Sequence, residues 1–205
     1  MFVKPIIFLG PSLPRVEATT ILDADYRPPL SIGDLDDINS QAIVGIVDGV
    51  LDAARLPLAE AQRAIDRGVS ILGAASTGAL LASDCRLSGI VGLGRVFTFL
   101  SRFSGNREDL IASLYAEHDN TLLTVPLINV VLAYPGLRLA DAQTLATSLC
   151  DIPMESRSLD RINDRILDLH PPLAGLPQLS PMALDAKSND ARLLLRHVQK
   201  LTALR

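Results

Sequence analysis

Short apolar runs and amphipathic stretches alternate along the first hundred residues. Lys4-Pro5-Ile6-Ile7-Phe8-Leu9 is stopped by Gly10-Pro11 and reads as a buried strand followed by a turn. Ser12, or its neighbourhood, is placed to cap a first helix that opens at Arg15-Val16-Glu17-Ala18. Residues 23–33 read as a loop in which Tyr26-Arg27-Pro28-Pro29 must be extended, because a residue before proline avoids the helical region. Residues 34–39 suit a short helix. Ala42–Val47 is a second buried strand ending at Asp48-Gly49. Leu58–Arg67 is an amphipathic helix closed by Gly68, and Val69–Leu72 is a third strand. Residues 73–78, Gly-Ala-Ala-Ser-Thr-Gly, then turn into a helix that runs to about Cys85.

Ile90–Phe97 fits either an edge strand or the start of a helix, and the remainder is helical in pattern: residues 106–116, 122–133 with Pro126 in the first turn, 139–149 and 159–169. Residues 171–183 hold four prolines and read as a linker, and an amphipathic helix fills 186–204. Short strand–helix–strand connections argue for an α/β fold, a parallel sheet of about four strands flanked by helices, with a helical C-terminal half. The expected organisation is one domain: an α/β core over 1–100, a helical part over 101–170, the Pro-rich linker over 171–183 and a terminal helix over 184–205.

Composition narrows the function classes. The 205 residues are 48% apolar and 20% charged, enough for a full core. Aromatics make up 4%, Trp is absent and the net charge is −4, which disfavours nucleic-acid binding. The apolar start is too short for a signal peptide, and no apolar run reaches the roughly 18 residues of a membrane span, so a cytoplasmic protein is expected. Cys85 and Cys150 are too far apart for a metal knuckle and read as small thiols in a reducing compartment. No metal site and no cofactor motif is expected; Gly92-Leu93-Gly94 lacks the third glycine and the setting of a dinucleotide loop.

In open parallel sheets, ligands bind beyond the carboxyl ends of the strands. Three segments should meet there: Gly10-Pro11-Ser12, Asp48-Gly49 and Ala74–Gly78. Ser76 is flanked by small residues, as a serine on a tight strand-to-helix turn requires, although Ala74 stands where a nucleophile elbow has its first glycine. The N–H groups of Thr77 and Gly78 would then face an anion beside the hydroxyl. The alternative is that Ser76 only caps the following helix. Asp48 can orient a base or water, or simply hold an Asp-Gly turn; Ser12 can donate to an anion or cap. Of the three histidines, His118 is the best partner for Ser76 as base, against the plainer reading of a solvated side chain.

The segments Phe8-Leu9-Gly10-Pro11-Ser12-Leu13, Tyr26-Arg27-Pro28-Pro29 and Gly33-Asp34 are similar to the opening of TfuA-like proteins. Gly45-Ile46-Val47-Asp48-Gly49-Val50, Arg67-Gly68-Val69, Gly73-Ala74-Ala75-Ser76-Thr77-Gly78-Ala79-Leu80 and Gly89–Phe97 continue the resemblance in order over the first half of the chain. It implies a YcaO-type enzyme as partner and a role in supplying sulfur for backbone thioamides. The sulfur would come from a ubiquitin-like carrier with a C-terminal thiocarboxylate, which the protein would hydrolyse. Ser76 and Asp48 match the family's Gly-Ala-Ala-Ser and Asp-Gly positions and are expected as catalytic residues. Ser12, Thr77 and Gly78 are expected to bind the anion, and Gly10, Gly49, Ala75, Tyr26 and Arg27 to line the cleft. Glu60, Arg95, His118 and Asn129 are weaker candidates. Leu81, Asp84 and Leu58 stand where the family usually has Arg, Glu and His. These departures favour one alternative, a non-catalytic adaptor that binds the enzyme or carrier, or forms a homo-oligomer; a second alternative, a small-molecule serine hydrolase, rests on the Ser76 turn.

Overall fold

The computed structural model describes residues 4–50, 58–85, 89–116 and 118–204. It divides into two compact units, residues 1–102 with 187–205, and residues 103–186. The first unit is built on a five-stranded, fully parallel sheet. Its elements are β1 (Ile6–Phe8), α1 (Arg15–Ile21), β2 (Asp25–Arg27), β3 (Ile43–Ile46), α2 (Leu58–Asp66), β4 (Ser70–Gly73), α3 (Thr77–Asp84), β5 (Val91–Gly92) and α4 (Gly94–Leu100). The strand order is β2-β1-β3-β4-β5. The register sets Arg27, Phe8, Ile46, Gly73 and Gly92 in one row at the carboxyl edge. The α/β class and the parallel sheet agree with the sequence.

Alternation along the strands splits the core into two faces. Ile6, Phe8, Val44, Ile46 and Ile71 point to the side covered by Ala61 and Ala64 of α2 and Leu81 and Ala82 of α3. Ile7, Leu9, Ile43, Val47 and Leu72 point to the other side, against Ala18 of α1 and the terminal helix α9 (Ala186–Ala203), through Ala191, Leu194, Leu195 and Val198. Two glycines set how closely the helices approach. A Cβ on Gly45 would stand 2.7 Å from Cδ2 of Leu194, so α9 lies against the backbone of β3. A Cβ on Gly78 would overlap the carbonyl of Ile46, so the first turn of α3 rests on β3 with nothing between.

Four expectations need correction. The segment expected as a loop over 23–33 contains β2, parallel to β1; its Asp-Tyr-Arg sequence carries no apolar pattern, and the edge position excuses it. Residues 34–39 form turns rather than a helix, held by Ser31 N–H to Asp34 and Gly33 N–H to Glu60. Ser12 does not cap α1; Pro14 occupies that position and no side chain caps it. Of the helix expected over 106–116, only α5 (Arg107–Ile111) forms, and Tyr115 instead bridges antiparallel to Leu122. Ile90–Phe97 resolves into both options, β5 and then α4.

The second unit holds α5, α6 (Leu127–Leu132), α7 (Leu139–Leu149) and α8 (Leu159–Leu167). Its centre is Arg157, whose side chain is almost wholly buried. The guanidinium donates to Ile152 O (3.0 Å), Asp109 O (3.0 Å) and both carboxylate oxygens of Asp109 (2.7 and 2.8 Å). Within residues 171–183, Leu179 is tied to α8: Asn163 makes two hydrogen bonds to its backbone.

The contact of α3 with β3 gives a direct test. Gly78→Ala is expected to lose about 3 kcal/mol or more in urea unfolding, because backbone must move to admit the methyl group. Gly136→Ala, with open space around the new atom, is expected to stay within about 0.5 kcal/mol.

Candidate strand-end site

The chain leaves β1 toward β2 and returns to β3 on the opposite side of β1, so the sheet changes direction between β1 and β3. In this strand order the outgoing loops separate at that point and leave a crevice at the carboxyl edge. Asp48 sits two residues beyond β3 and reaches across it. Its Oδ2 accepts from the N–H groups of Gly10 (2.9 Å) and Ser12 (3.2 Å), and its Oδ1 accepts from the Ser12 hydroxyl at 2.6 Å. Asp48 and Ser12 are both buried. The backbone of the same segment pairs with Leu30: Leu30 N–H donates to Asp48 O, and Val50 N–H to Leu30 O, both at 2.9 Å. Gly10 must be a glycine here, since a Cβ would lie 2.7 Å from Pro29 and 3.3 Å from Asp48.

The turn from β4 to α3 lies beside it. Ala74 N–H donates to Ile46 O, Gly78 N–H to Val47 O, and Thr77 Oγ1 to Gly49 O (3.0 Å). Ala75 carries a positive φ of 68°, and Ser76 N–H bonds back to Ala74 O at 2.9 Å. Together these form a γ-turn of the rare positive-φ kind, centred on Ala75. Ser76 occupies the N-cap position of α3, yet its side chain makes no capping bond. Ser76 is only 5% exposed, and among the described residues its hydroxyl has no hydrogen-bond partner. No sealed side-chain polar atom among these residues lacks a partner, so the Ser76 oxygen keeps contact with solvent.

The candidates therefore divide. Gly10, Ser12, Asp48, Gly49, Ala75, Ser76, Thr77 and Gly78 meet at one edge of the sheet. Gly78 N–H, however, is occupied by Val47 O and does not serve an incoming anion in this conformation; Thr77 N–H is the donor that remains from the expected pair. Tyr26 is a structural residue. Its hydroxyl donates toward the carbonyls of Ala18 (2.8 Å) and Leu22 (2.9 Å), Arg15 lies over its ring, and burial pushes its phenol up to about 12. Arg27 pairs with Asp25 on the surface. Glu60 accepts from Gly33 N–H and holds the 31–37 turns. Arg95 is exposed, and its backbone N–H donates to Asp190. His118 and Asn129 belong to the second unit. His118 is exposed beside Asp119, its neighbour Glu117 lying outside the described residues, and Asn129 donates to Leu184 O. Among the described residues no cluster of three or more His, Cys, Asp or Glu is arranged to hold a metal ion, and no helix is long and apolar enough to cross a membrane. Burial pushes the Cys85 thiol up; burial and Asp109 push Cys150 up to about 11. Neither is an activated nucleophile.

Lys187 is a residue the sequence reading passed over. It is buried, 4% exposed, at the start of α9, and the charge of Asp48 acts on it. The signal was available: Lys187, Asp190, Leu194 and Val198 follow one stripe of α9 at helical spacing, and a lysine on the apolar stripe requires a buried counter-charge.

The two serines differ in what they hold, and unfolding can distinguish them. Ser12→Ala removes a donor from a buried carboxylate and is expected to cost about 1.5–3 kcal/mol. Ser76→Ala breaks no hydrogen bond and is expected to change stability by less than about 0.5 kcal/mol, read by urea unfolding of both variants beside wild type.

Sequence comparison adds a family. No curated protein matches the chain. Residues 48–148 match the family model described as TfuA-like protein; the match covers Asp48, the β4–α3 turn and Ser76, and over that segment the chain is TfuA-like.

Proposed function

We propose that the protein is an accessory to a YcaO-type enzyme in peptide backbone thioamidation. In this reading it takes a ubiquitin-like sulfur carrier ending in a glycyl thiocarboxylate and hydrolyses that end to supply sulfide. The observation that carries the reading is the Ser76 hydroxyl. It stands at a strained turn on the carboxyl edge of the sheet, has no partner among the described residues, and is not used as a cap.

The reaction balances as R–COS⁻ + H₂O → R–COO⁻ + H₂S. A glycine tail is narrow, and the turn around Ser76 is built from Ala74, Ala75 and Gly49, so main chain rather than bulk faces the crevice. Ser76 would act at the carbonyl carbon as nucleophile or bind the sulfur anion. Thr77 N–H, at the start of α3, would face the oxygen on which charge develops. Asp48 would serve by shaping the Gly10–Ser12 loop; its hydrogen bonds to that loop make it a support for the crevice more than a base that moves protons.

One observation favours the non-catalytic adaptor. Leu81, where the family usually has Arg, is fully buried in the core cluster with Val44, Ile46 and Ala82, so this chain lacks a cation that could clamp an anion from that position.

Sulfide release from a purified thiocarboxylated carrier decides between them. Wild type is expected to release sulfide, and Ser76→Ala to be slower by at least about 100-fold while still folded. Release unchanged by the substitution would clear Ser76 of a role. No release by wild type, with carrier or YcaO enzyme co-eluting on a sizing column, would establish the adaptor. Cleavage of simple esters, lost in Ser76→Ala, would favour the small-molecule hydrolase.

A further inference from the structure

We infer that the main-chain N–H of Gly49 is the second anion donor of the strand-end site, facing the same space as Thr77 N–H, and that the Thr77 hydroxyl is the positioning group that holds it there. The inference deepens the reading of the Ser76 site given above. It rests on that reading for the identity of the anion, the thiocarboxylate end of a carrier tail; the direction of the amide does not.

The direction of the Gly49 amide follows from its neighbours. Leu30 and Gly49 form a parallel bridge. Leu30 N–H donates to Asp48 O and Val50 N–H donates to Leu30 O, both at 2.9 Å. In a parallel bridge of this kind the residues on either side turn their polar groups to the partner, and the middle residue turns its own the opposite way. Gly49 therefore points its N–H and C=O away from Leu30. A second contact shows what lies on that side: Gly49 O accepts from Thr77 Oγ1 at 3.0 Å. Val47 O, two residues earlier, accepts from Gly78 N–H. The segment 47–49 thus runs along the first turn of α3, and Gly49 N–H is on the side that meets Thr77. The approach needs a glycine, since a Cβ at 49 would stand 2.9 Å from Thr77 Cγ2 and 3.1 Å from Leu30 O.

Among the described residues Gly49 N–H has no acceptor. An amide left unbonded is tolerated only where water or a ligand can take it, and Gly49 is half-buried rather than sealed. Three donors that the fold does not use are therefore neighbours: Gly49 N–H from the end of β3, Thr77 N–H from the start of α3, and the hydroxyl of Ser76, one residue before Thr77 and only 5% exposed. Gly78 N–H, spent on Val47 O, seats α3 on the sheet. That use leaves one helix amide for an anion, and Gly49 supplies the second from a different strand end. Two amides on different elements fix an oxygen in place where one does not. They would hold the thiocarboxylate oxygen, on which charge grows as the adjoining carbon is attacked. The Thr77 hydroxyl touches no substrate in this arrangement; it keeps Gly49 turned toward α3.

The test is the amide spectrum of the nitrogen-15-labelled protein, titrated with a ubiquitin-like sulfur carrier ending in its ordinary glycyl carboxylate, beside the same carrier shortened by its last residue. The expected result is that Gly49 and Thr77 N–H move downfield with the full-length carrier and not with the shortened one, while Gly78 N–H moves with neither. Movement of Thr77 without Gly49, movement with both carriers, or no movement would overturn the inference. The positioning role is read in two variants. Thr77→Val keeps the shape and loses the bond to Gly49 O, and the carrier-dependent shift of Gly49 is expected to be lost in it and kept in Thr77→Ser. Equal shifts in the two variants would remove the role from the hydroxyl. If Thr77→Val does not fold, the wild-type titration still decides the donors, and Thr77→Ser with the Gly49 shift lost would count against the hydroxyl. Sulfide release is measured in parallel, where Thr77→Val is expected to lower kcat at least about tenfold with KM little changed. A wild type that releases no sulfide yet shows the paired shifts upholds the two donors and counts only against the proposed reaction. Sulfide release with Gly49 unmoved counts only against the donors.

Discussion

A single buried carboxylate, Asp48, closes the point where the sheet reverses direction. Without it the turn after β1 would have no reason to fold over the end of β3, because Gly10 and Ser12 would present their N–H groups to an apolar interior. With it, two main-chain donors and one hydroxyl converge on one side chain. Hydrogen bonds to a charged acceptor are worth about 1.5–3 kcal/mol each, more than a neutral pair, which is how a carboxylate at this depth is tolerated. The same demand explains why α1 starts without a side-chain cap. Ser12, the residue placed to provide one, is used by Asp48, and Pro14 starts the helix by its fixed φ alone.

The second constraint is the direct seat of α3 on the sheet. Gly73 and Gly78 have no room for side chains because helix and strand backbones touch. To bring the chain round that quickly, the turn places Ala75 in the left-handed region, where an alanine is disfavoured by about 1–2 kcal/mol. Such strain persists only where the surroundings impose it. Ser76, the next residue, occupies the N-cap position without a capping bond, and among the described residues its hydroxyl has no partner. A simple helix start would have used that hydroxyl on the amide two or three residues on. The functional reading rests on this difference between an ordinary cap and an idle one.

Local pattern sufficed for β1, β3 and β4 and for most helices. Ile6-Ile7-Phe8, Ile43–Ile46 and Ile71-Leu72 are too apolar and too short to be anything else, and their order along the chain implied parallel pairing. The meeting of the three outgoing turns followed from that topology, with no need of side-chain detail. Where the reading failed, the deciding interaction was distant in sequence. β2 has no apolar alternation and is a strand only because β1 offers it an edge. The helix expected at 106–116 stops at Ile111, and Leu114 N–H turns to the Thr124 hydroxyl. Lys187 is buried at the start of α9, and only its place on the apolar stripe of that helix marked it as unusual.

The matched family segment, residues 48–148, contains Asp48 and Ser76 but neither the loop that Asp48 holds nor the helix that carries Lys187. It also lacks β1, which stands between β2 and β3 in the sheet. Hydrogen-bonded neighbours in a parallel sheet cannot be omitted singly, since each strand supplies the donors and acceptors of the next. Nor can α9, whose Ala191, Leu194, Leu195 and Val198 cover one face of the core. The strand-end crevice is thus assembled from widely separated parts of the chain: the turn after β1, the end of β3 and the turn into α3. A substitution in the Gly10–Ser12 loop can therefore alter this edge of the sheet although it lies outside the matched segment.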